Sequence, residues 1–182
     1  QMCLRDSAIE DALENGVVPC CVITGFGTFT GEENSDSFKS KKSKSKKLKA
    51  DYRVGLVVSN VEFQAGSFDM ASCEKVCRLL DDCARLKLPV IFFISSAGMQ
   101  TKEGGGSLFS MAVINDRITR FVKDLDLPVV CFGFRDCTGG AQASFVTHLL
   151  AKTYYFSGAQ IPFAGQLVVE SHLPAHSTLS NY

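Results

Sequence analysis

The 182-residue chain has no tryptophan, only five prolines and three histidines, and no net formal charge. Scarce proline beside 46% hydrophobic residues excludes collagen-like repeats and proline-rich disorder. The longest apolar run, Leu88 to Ile94, is far shorter than the ~20 residues a helix needs to cross a bilayer, so no membrane span is expected. No secretory leader is evident, and the start (Gln1-Met2-Cys3-Leu4-Arg5-Asp6) reads as an interior or processed end. The eight cysteines form no C-x-x-C pair, which argues against a structural zinc site. His172 and His176 flank Pro174, which breaks the helix that a metal-binding pair would need, so no metal site is predicted. There is no P-loop and no G-x-S-x-G elbow. The run Gly25-Phe26-Gly27-Thr28-Phe29-Thr30-Gly31 has the wrong spacing for a dinucleotide fingerprint and leads into more strand.

What is present fits a single domain over residues 1–182, long enough to bury roughly 70% of its unfolded surface. The neutral charge is a sum of unlike parts. Lys39, Lys41, Lys42, Lys44, Lys46, Lys47 and Lys49 crowd one short stretch; without them twelve basic residues face nineteen acidic ones, so the body carries about −7. The surrounding Lys/Ser-rich segment, about 32–51, reads as a solvated insertion between strands or as a tether for nucleic acid, an anionic lipid surface or an acidic partner. It lacks the aromatic platforms of single-strand readers, which favours the insertion and makes nucleic acid an improbable partner. Cys73, Cys77, Leu80 and Ala84 recur along one side of a predicted helix, so these sulfurs look like small core hydrophobes. Free buried thiols favour a reducing compartment, cytosolic or organellar.

Periodicity predicts a strand pair or a bent strand over 17–30 and a valine-rich strand over 52–63. It predicts a helix over 69–86 with Asp69 or Ser72 as N-cap, and a buried strand over 89–94. A glycine-rich loop over 95–106 leads to a helix over about 107–125, then a buried strand over 128–134. A third helix opens at Thr138-Gly139-Gly140 and ends near Lys152, with an extended segment over 154–163 and a short helix over 164–172. The fold class is α/β, parallel strands joined by helices.

Two loops stand at the carboxyl ends of buried strands and feed helices: Ser95-Ser96-Ala97-Gly98 and Cys137-Thr138-Gly139-Gly140-Ala141. Small residues let a ligand approach the backbone, whose N–H groups favour developing negative charge. Ala65-Gly66-Ser67 precedes a helix with the same logic. Any one could be only a tight turn; three together point to a backbone-lined site. His148 reads as a packed or surface residue rather than a base, and Glu103 as solvated or orienting its loop. With no side-chain acid or base in view, substrate and cofactor would carry the chemistry.

The segment Phe63-Gln64-Ala65-Gly66-Ser67, then Phe93-Ile94-Ser95-Ser96-Ala97-Gly98 with Glu103 and Ser107-Leu108, resembles the carboxyltransferase beta subunit of acetyl-CoA carboxylase. Thr138 to Phe145 and Phe163-Ala164-Gly165-Gln166-Leu167 continue the match in the same order, over about 54–170. The resemblance implies a crotonase-like spiral of β-β-α units. It also implies transfer of carboxylate from carboxybiotin, on a carrier protein, to acetyl-CoA, giving malonyl-CoA for fatty acid biosynthesis, with no cofactor bound directly by this chain. The implied partners are a carboxyltransferase alpha subunit and the biotin carboxyl carrier protein in a hetero-oligomer, in a plastid stroma ahead of a mitochondrion, or in the cytoplasm. Carried across, the oxyanion donors are Ala97 and Gly98, Gly139 and Gly140 line the pocket, and Gly66, Ser67 and Gly165 contact substrate. Where the family reads S-G-G-A-R, this chain has Ser96-Ala97-Gly98-Met99-Gln100: Ala97 keeps its N–H, but Gln100 supplies no fixed charge where the family has arginine. Gly165-Gln166-Leu167 likewise stands for a family G-P-R. The family's zinc ribbon and last helices have no counterpart in these residues. Two further readings stay open: a catalytically degenerate structural subunit, and a decarboxylase of malonyl thioesters.

Overall fold

The computed structural model describes residues 7–32, 49–162 and 164. Within them a five-stranded sheet in the order β1-β2-β3-β4-β5 is built from β1 (Val22–Glu32), β2 (Lys49–Ser59), β3 (Val90–Ser96), β4 (Val129–Cys137) and β5 (Lys152–Tyr155). β1 and β2 form a long antiparallel pair, and β2 through β5 run parallel. Helices α2 (Met70–Leu86) and α3 (Gly105–Lys123) provide the crossovers to β3 and β4. α1 (Ser7–Glu14) precedes the sheet, and α4 (Gly139–Ala141) continues as a π turn over Gln142–Val146. This is the α/β class expected, and the antiparallel pair followed by a helix is one β-β-α unit.

Alternation divides the sheet into two faces. On one, Val57, Phe92 and Cys131 align in register and are fully buried, as are Val90 and Val129 in the adjoining row. Val76, Leu79, Leu80 and Cys83 of α2 and Ile114, Ile118 and Phe121 of α3 join them in one core. Gly55 of β2 is required here, because a Cβ would lie 2.3 Å from the Cys83 sulfur. The other face carries the row Ile23, Val58, Phe93, Phe132 and Tyr154, with the rings of Phe93, Phe132 and Tyr154 stacked at 5.4 and 5.5 Å.

Several expectations are corrected. Of the two expectations for 17–30, the single strand holds and the pair does not; it begins at Val22 and its partner is β2. At the two ends of the expected insertion, Glu32 and Lys49–Asp51 belong to the paired strands, and the rest of it lies outside the described residues. α1 was missed. The strands after 89 and 128 run further than their apolar stretches, to Ser96 and Cys137. The helix expected to reach Lys152 ends at Val146 instead. Hydroxyls take its carbonyls: Ser144 donates to Gly140 O at 2.6 Å and Thr147 to Gln142 O at 2.7 Å, after which the chain turns through His148. The helix expected over 164–172 lies outside the described residues apart from Ala164, as do Phe163 and Gly165.

Candidate functional site

Three backbone turns meet at the carboxyl ends of β3 and β4. The first, Gln64–Gly66, is left-handed at three successive residues, with φ of 47°, 51° and 65°. Gly66 is dictated by space as well, since a Cβ there would sit 2.5 Å from the Ser95 carbonyl oxygen. The second turn is Ala97-Gly98, with Gly98 at φ 104°. The third is Thr138-Gly139-Gly140. The second and third touch: a Cβ on Gly98 would lie 3.3 Å from Thr138 O and 3.7 Å from both Gly139 Cα and Gly140 N. Met99 and Met111 pack against Gly140, where a Cβ would come within 2.8 Å of both side chains. Phe145 anchors the helix behind the third turn, its ring 4.7 Å from that of Phe68.

The structure therefore brings Gly66, Ala97, Gly98, Gly139 and Gly140 into one cluster, with Ser67 on its border; Gly165 lies outside the described residues. Their N–H groups are not equivalent. Ala97 N–H donates to Ala65 O at 3.1 Å and Gly98 N–H to Ser96 Oγ at 3.1 Å. Gly66 N–H donates to Phe63 O and Ser67 N–H to Gln64 O, each at 3.0 Å. The groups singled out from sequence as oxyanion donors are thus engaged within the fold. Among the described residues the N–H groups of Gly139 and Gly140, both half-buried, have no acceptor. This pair is the one able to receive an oxygen that gains negative charge.

Sequence reasoning missed the serines. Ser95 and Ser96, expected as open loop residues, are the buried end of β3. Ser95 donates to Asp136 O at 3.0 Å, across a bulge that shifts the β3–β4 register between Ile94 and Ser96. Two hydroxyls at the end of an apolar strand are the signal that could have marked them. Glu103 is a cap: its Oε2 accepts Met70 N–H at 2.7 Å while Asp69 Oδ1 accepts Ser72 N–H at 2.6 Å. The α2 N-terminus, expected to serve an incoming anion, already holds two carboxylates. Gln100 donates from Nε2 to Gln64 Oε1, tying the first turn to the residue that stands where a family arginine would. His148 accepts Leu150 N–H at Nδ1 and meets Thr119 Oγ1 through Nε2 at 3.0 Å; burial pushes its pKa down, and it lies in the turn after α4, packed as expected.

Among the described residues no group of His, Cys, Asp and Glu side chains could hold a metal, and no helix is long and apolar enough to cross a membrane.

No protein-family model matches the chain. Curated relatives do. The chain is 33% identical over 124 residues to acetyl-coenzyme A carboxylase carboxyl transferase subunit beta 2 of Lactiplantibacillus plantarum, covering 66% of this chain and 42% of the relative. It is 30% identical over 154 residues to the corresponding beta subunit of Levilactobacillus brevis, covering 82% of this chain and 46% of the relative. The chain thus spans less than half the length of these relatives. Among solved structures, a Pseudomonas malonate decarboxylase hetero-tetramer in complex with malonate aligns with a TM-score of 0.57 at 21% identity, over 72% of this chain and 47% of that one. Transcarboxylase 12S with hydrolysed methylmalonyl-coenzyme A bound aligns at 0.55 and 20%, over 80% of this chain and 25% of that one. Together with the β-β-α sheet and the joined glycine turns, these similarities make the chain a homologue of the carboxyltransferase beta subunits of acetyl-CoA carboxylase, with the crotonase-like fold of the carboxyltransferases.

Proposed function

We propose that the chain is the beta-type half of an acyl-CoA carboxyltransferase, moving carboxylate from carboxybiotin to acetyl-CoA to form malonyl-CoA. One observation carries the reading: the Gly139 and Gly140 N–H groups, without an acceptor among the described residues and held against the Gly98 turn within the region similar to the beta subunits. In this reading the pair donates to the thioester carbonyl oxygen as it becomes an enolate oxygen: the α-carbon's proton passes to the biotin ureido nitrogen that releases the carboxyl group, and the α-carbon takes that carboxyl group. Two donors without an internal acceptor, among residues small enough for close approach, suit such an oxygen or the ureido oxygen of biotin. Biotin, arriving on its carrier protein, supplies the carboxyl group; this chain binds no cofactor directly and contributes position and hydrogen bonds. Ala97 and Gly98 shape the wall and Gly66 and Ser67 its floor, while a substrate contact at Gly165 rests on the resemblance alone. A carboxyltransferase alpha subunit would complete the site, and fatty acid synthesis in a plastid or bacterial-type cytoplasm would consume the malonyl-CoA.

A second reading, a retained fold serving as a structural subunit, is favoured by the engagement of the Ala97 and Gly98 N–H groups. The two separate on Gly140→Pro, assayed as malonyl-CoA-dependent carboxylation of free biotin with the complementary subunit present. A first-turn N–H has no intrahelical partner, so proline there removes the donor without breaking a helix bond, and Gly140→Ala, which keeps the N–H but meets Met99 and Met111 in the same way, is the control for crowding. A carboxyltransferase should lose about 100- to 1,000-fold in kcat, the usual effect of losing one oxyanion donor. Wild-type protein inactive with every complementary subunit would establish the structural reading.

A further inference from the structure

We propose that Ser96 is a positioning residue, a clasp that locks the three turns together so that the Gly139–Gly140 N–H pair faces substrate in one fixed arrangement. The inference rests on the carboxyltransferase reading of that pair.

Ser96 is 2% exposed and contacts all three turns. Its hydroxyl lies 2.8 Å from Gly66 O and 3.1 Å from Gly98 O, a single proton shared between two carbonyls, and it accepts Gly98 N–H at 3.1 Å. Its carbonyl accepts Thr138 N–H at 2.9 Å, with the Thr138 hydroxyl 3.5 Å away. Side chain and backbone of one residue thus join the turn at 64–66, the turn at 97–98 and the residue immediately before Gly139. Direct links between the turns run the same way. Ala97 N–H donates to Ala65 O, Phe68 N–H donates to Gly98 O at 2.8 Å, and Gln100 N–H donates to Phe68 O at 2.7 Å.

Ser95 provides an internal contrast. It is also buried, and its hydroxyl also donates to a carbonyl, but that carbonyl belongs to Asp136 in the bulge and not to a glycine turn. A general loss of strand stability would follow from removing either hydroxyl. A loss of site geometry follows only from removing that of Ser96.

The test compares Ser96→Ala and Ser95→Ala in the whole protein, by malonyl-CoA affinity and by amide hydrogen exchange. Ser96→Ala should weaken malonyl-CoA binding about tenfold and speed exchange at Gly98 and Thr138 about tenfold, the consequence of losing one intramolecular hydrogen bond. Ser95→Ala should leave affinity unchanged, and Ser96→Thr, which keeps the hydroxyl, should recover most of it. Equal effects of the two alanine variants on affinity, or unchanged exchange at Thr138 in Ser96→Ala, would overturn the clasp. If Ser96→Ala does not fold, the unmodified protein decides: a clasp makes the amides of Phe68, Ala97, Gly98 and Thr138 open together with one protection factor, whereas independent turns give different ones. A wild-type protein that binds no malonyl-CoA even with the complementary subunit present, while those amides open together, refutes the carboxyltransferase reading and with it the catalytic purpose of the clasp, leaving only its geometry.

Discussion

Gly66 and Gly16 both adopt left-handed backbone, at φ 65° and 69°, but their surroundings differ. A Cβ at Gly16 meets nothing within 4 Å, whereas at Gly66 it meets the Ser95 carbonyl at 2.5 Å. Gly16→Ala should therefore cost only the backbone term, about 1 kcal/mol. Gly66→Ala adds overpacking against immobile backbone, for a total of roughly 2–4 kcal/mol. Urea denaturation of the two variants measures the difference; equal midpoints would mean that the first turn yields freely. The glycines at these loops were legible as places where backbone comes close. Which N–H groups they leave free was not, because that depends on acceptors far away in sequence: Ala65 for Ala97, and Ser96 for Thr138.

At the scale of elements, α2 is specified locally. Asp69 was one of two caps expected and is the one used, and Lys87 closes the helix in the left-handed conformation at φ 54°. Glu103 supplies a second carboxylate from the loop after β3, 33 residues on, which no local pattern reveals. Asp69→Ala and Glu103→Ala should each lower stability by about 1 kcal/mol, a typical effect of losing an N-cap acceptor. They accept from different N–H groups, Ser72 and Met70, so the double variant should lose close to the sum. Thermal melts of the single and double variants check this, and strong non-additivity would show that one carboxylate replaces the other. Helix α4 shows the opposite case. The helix opening at Thr138-Gly139-Gly140 is expected to reach Lys152, but hydroxyls of Ser144 and Thr147 compete for backbone carbonyls and the chain turns early enough to form β5.

At the scale of the whole molecule, most of the described cysteines are hidden, Cys20 being only half-buried. Cys21, Cys73, Cys131 and Cys137 are buried, and loss of hydration pushes each thiol up to about 12 from a usual 9.0. Neighbouring charges and thiols raise Cys21, Cys73 and Cys131 further, while a backbone contact to Ser96 partly offsets the rise at Cys137. Between pH 9 and 12 the folded protein keeps these protons and the unfolded chain releases them. The thiols' contribution is therefore complete below pH 9 and declines as pH rises toward 12. Unfolding free energy from urea titrations should fall steadily over that interval, and the fall should shrink in a variant carrying Cys131→Ala and Cys137→Ala. A flat profile would show the thiols reachable by water in the native state. At pH 8, iodoacetamide should modify these four only after unfolding.

The sequence by itself determined the α/β class, the order of strands and helices from β2 through β4, Cys73 and Cys77 as core residues and the position of the glycine turns. Each of these is written locally: valine-rich or continuous apolar runs in the strands, period three to four in α2, and glycine beside small residues where backbones meet. Only the tertiary structure decided that the N–H groups of Ala97 and Gly98 are engaged while those of Gly139 and Gly140 have no acceptor among the described residues, and that Ser96 and Glu103 hold turns and helix ends together. The physical reason is that a backbone hydrogen bond is satisfied by whichever acceptor the fold brings within about 3 Å. Sheet register and crossovers set that proximity across tens of residues, beyond the reach of any sequence window.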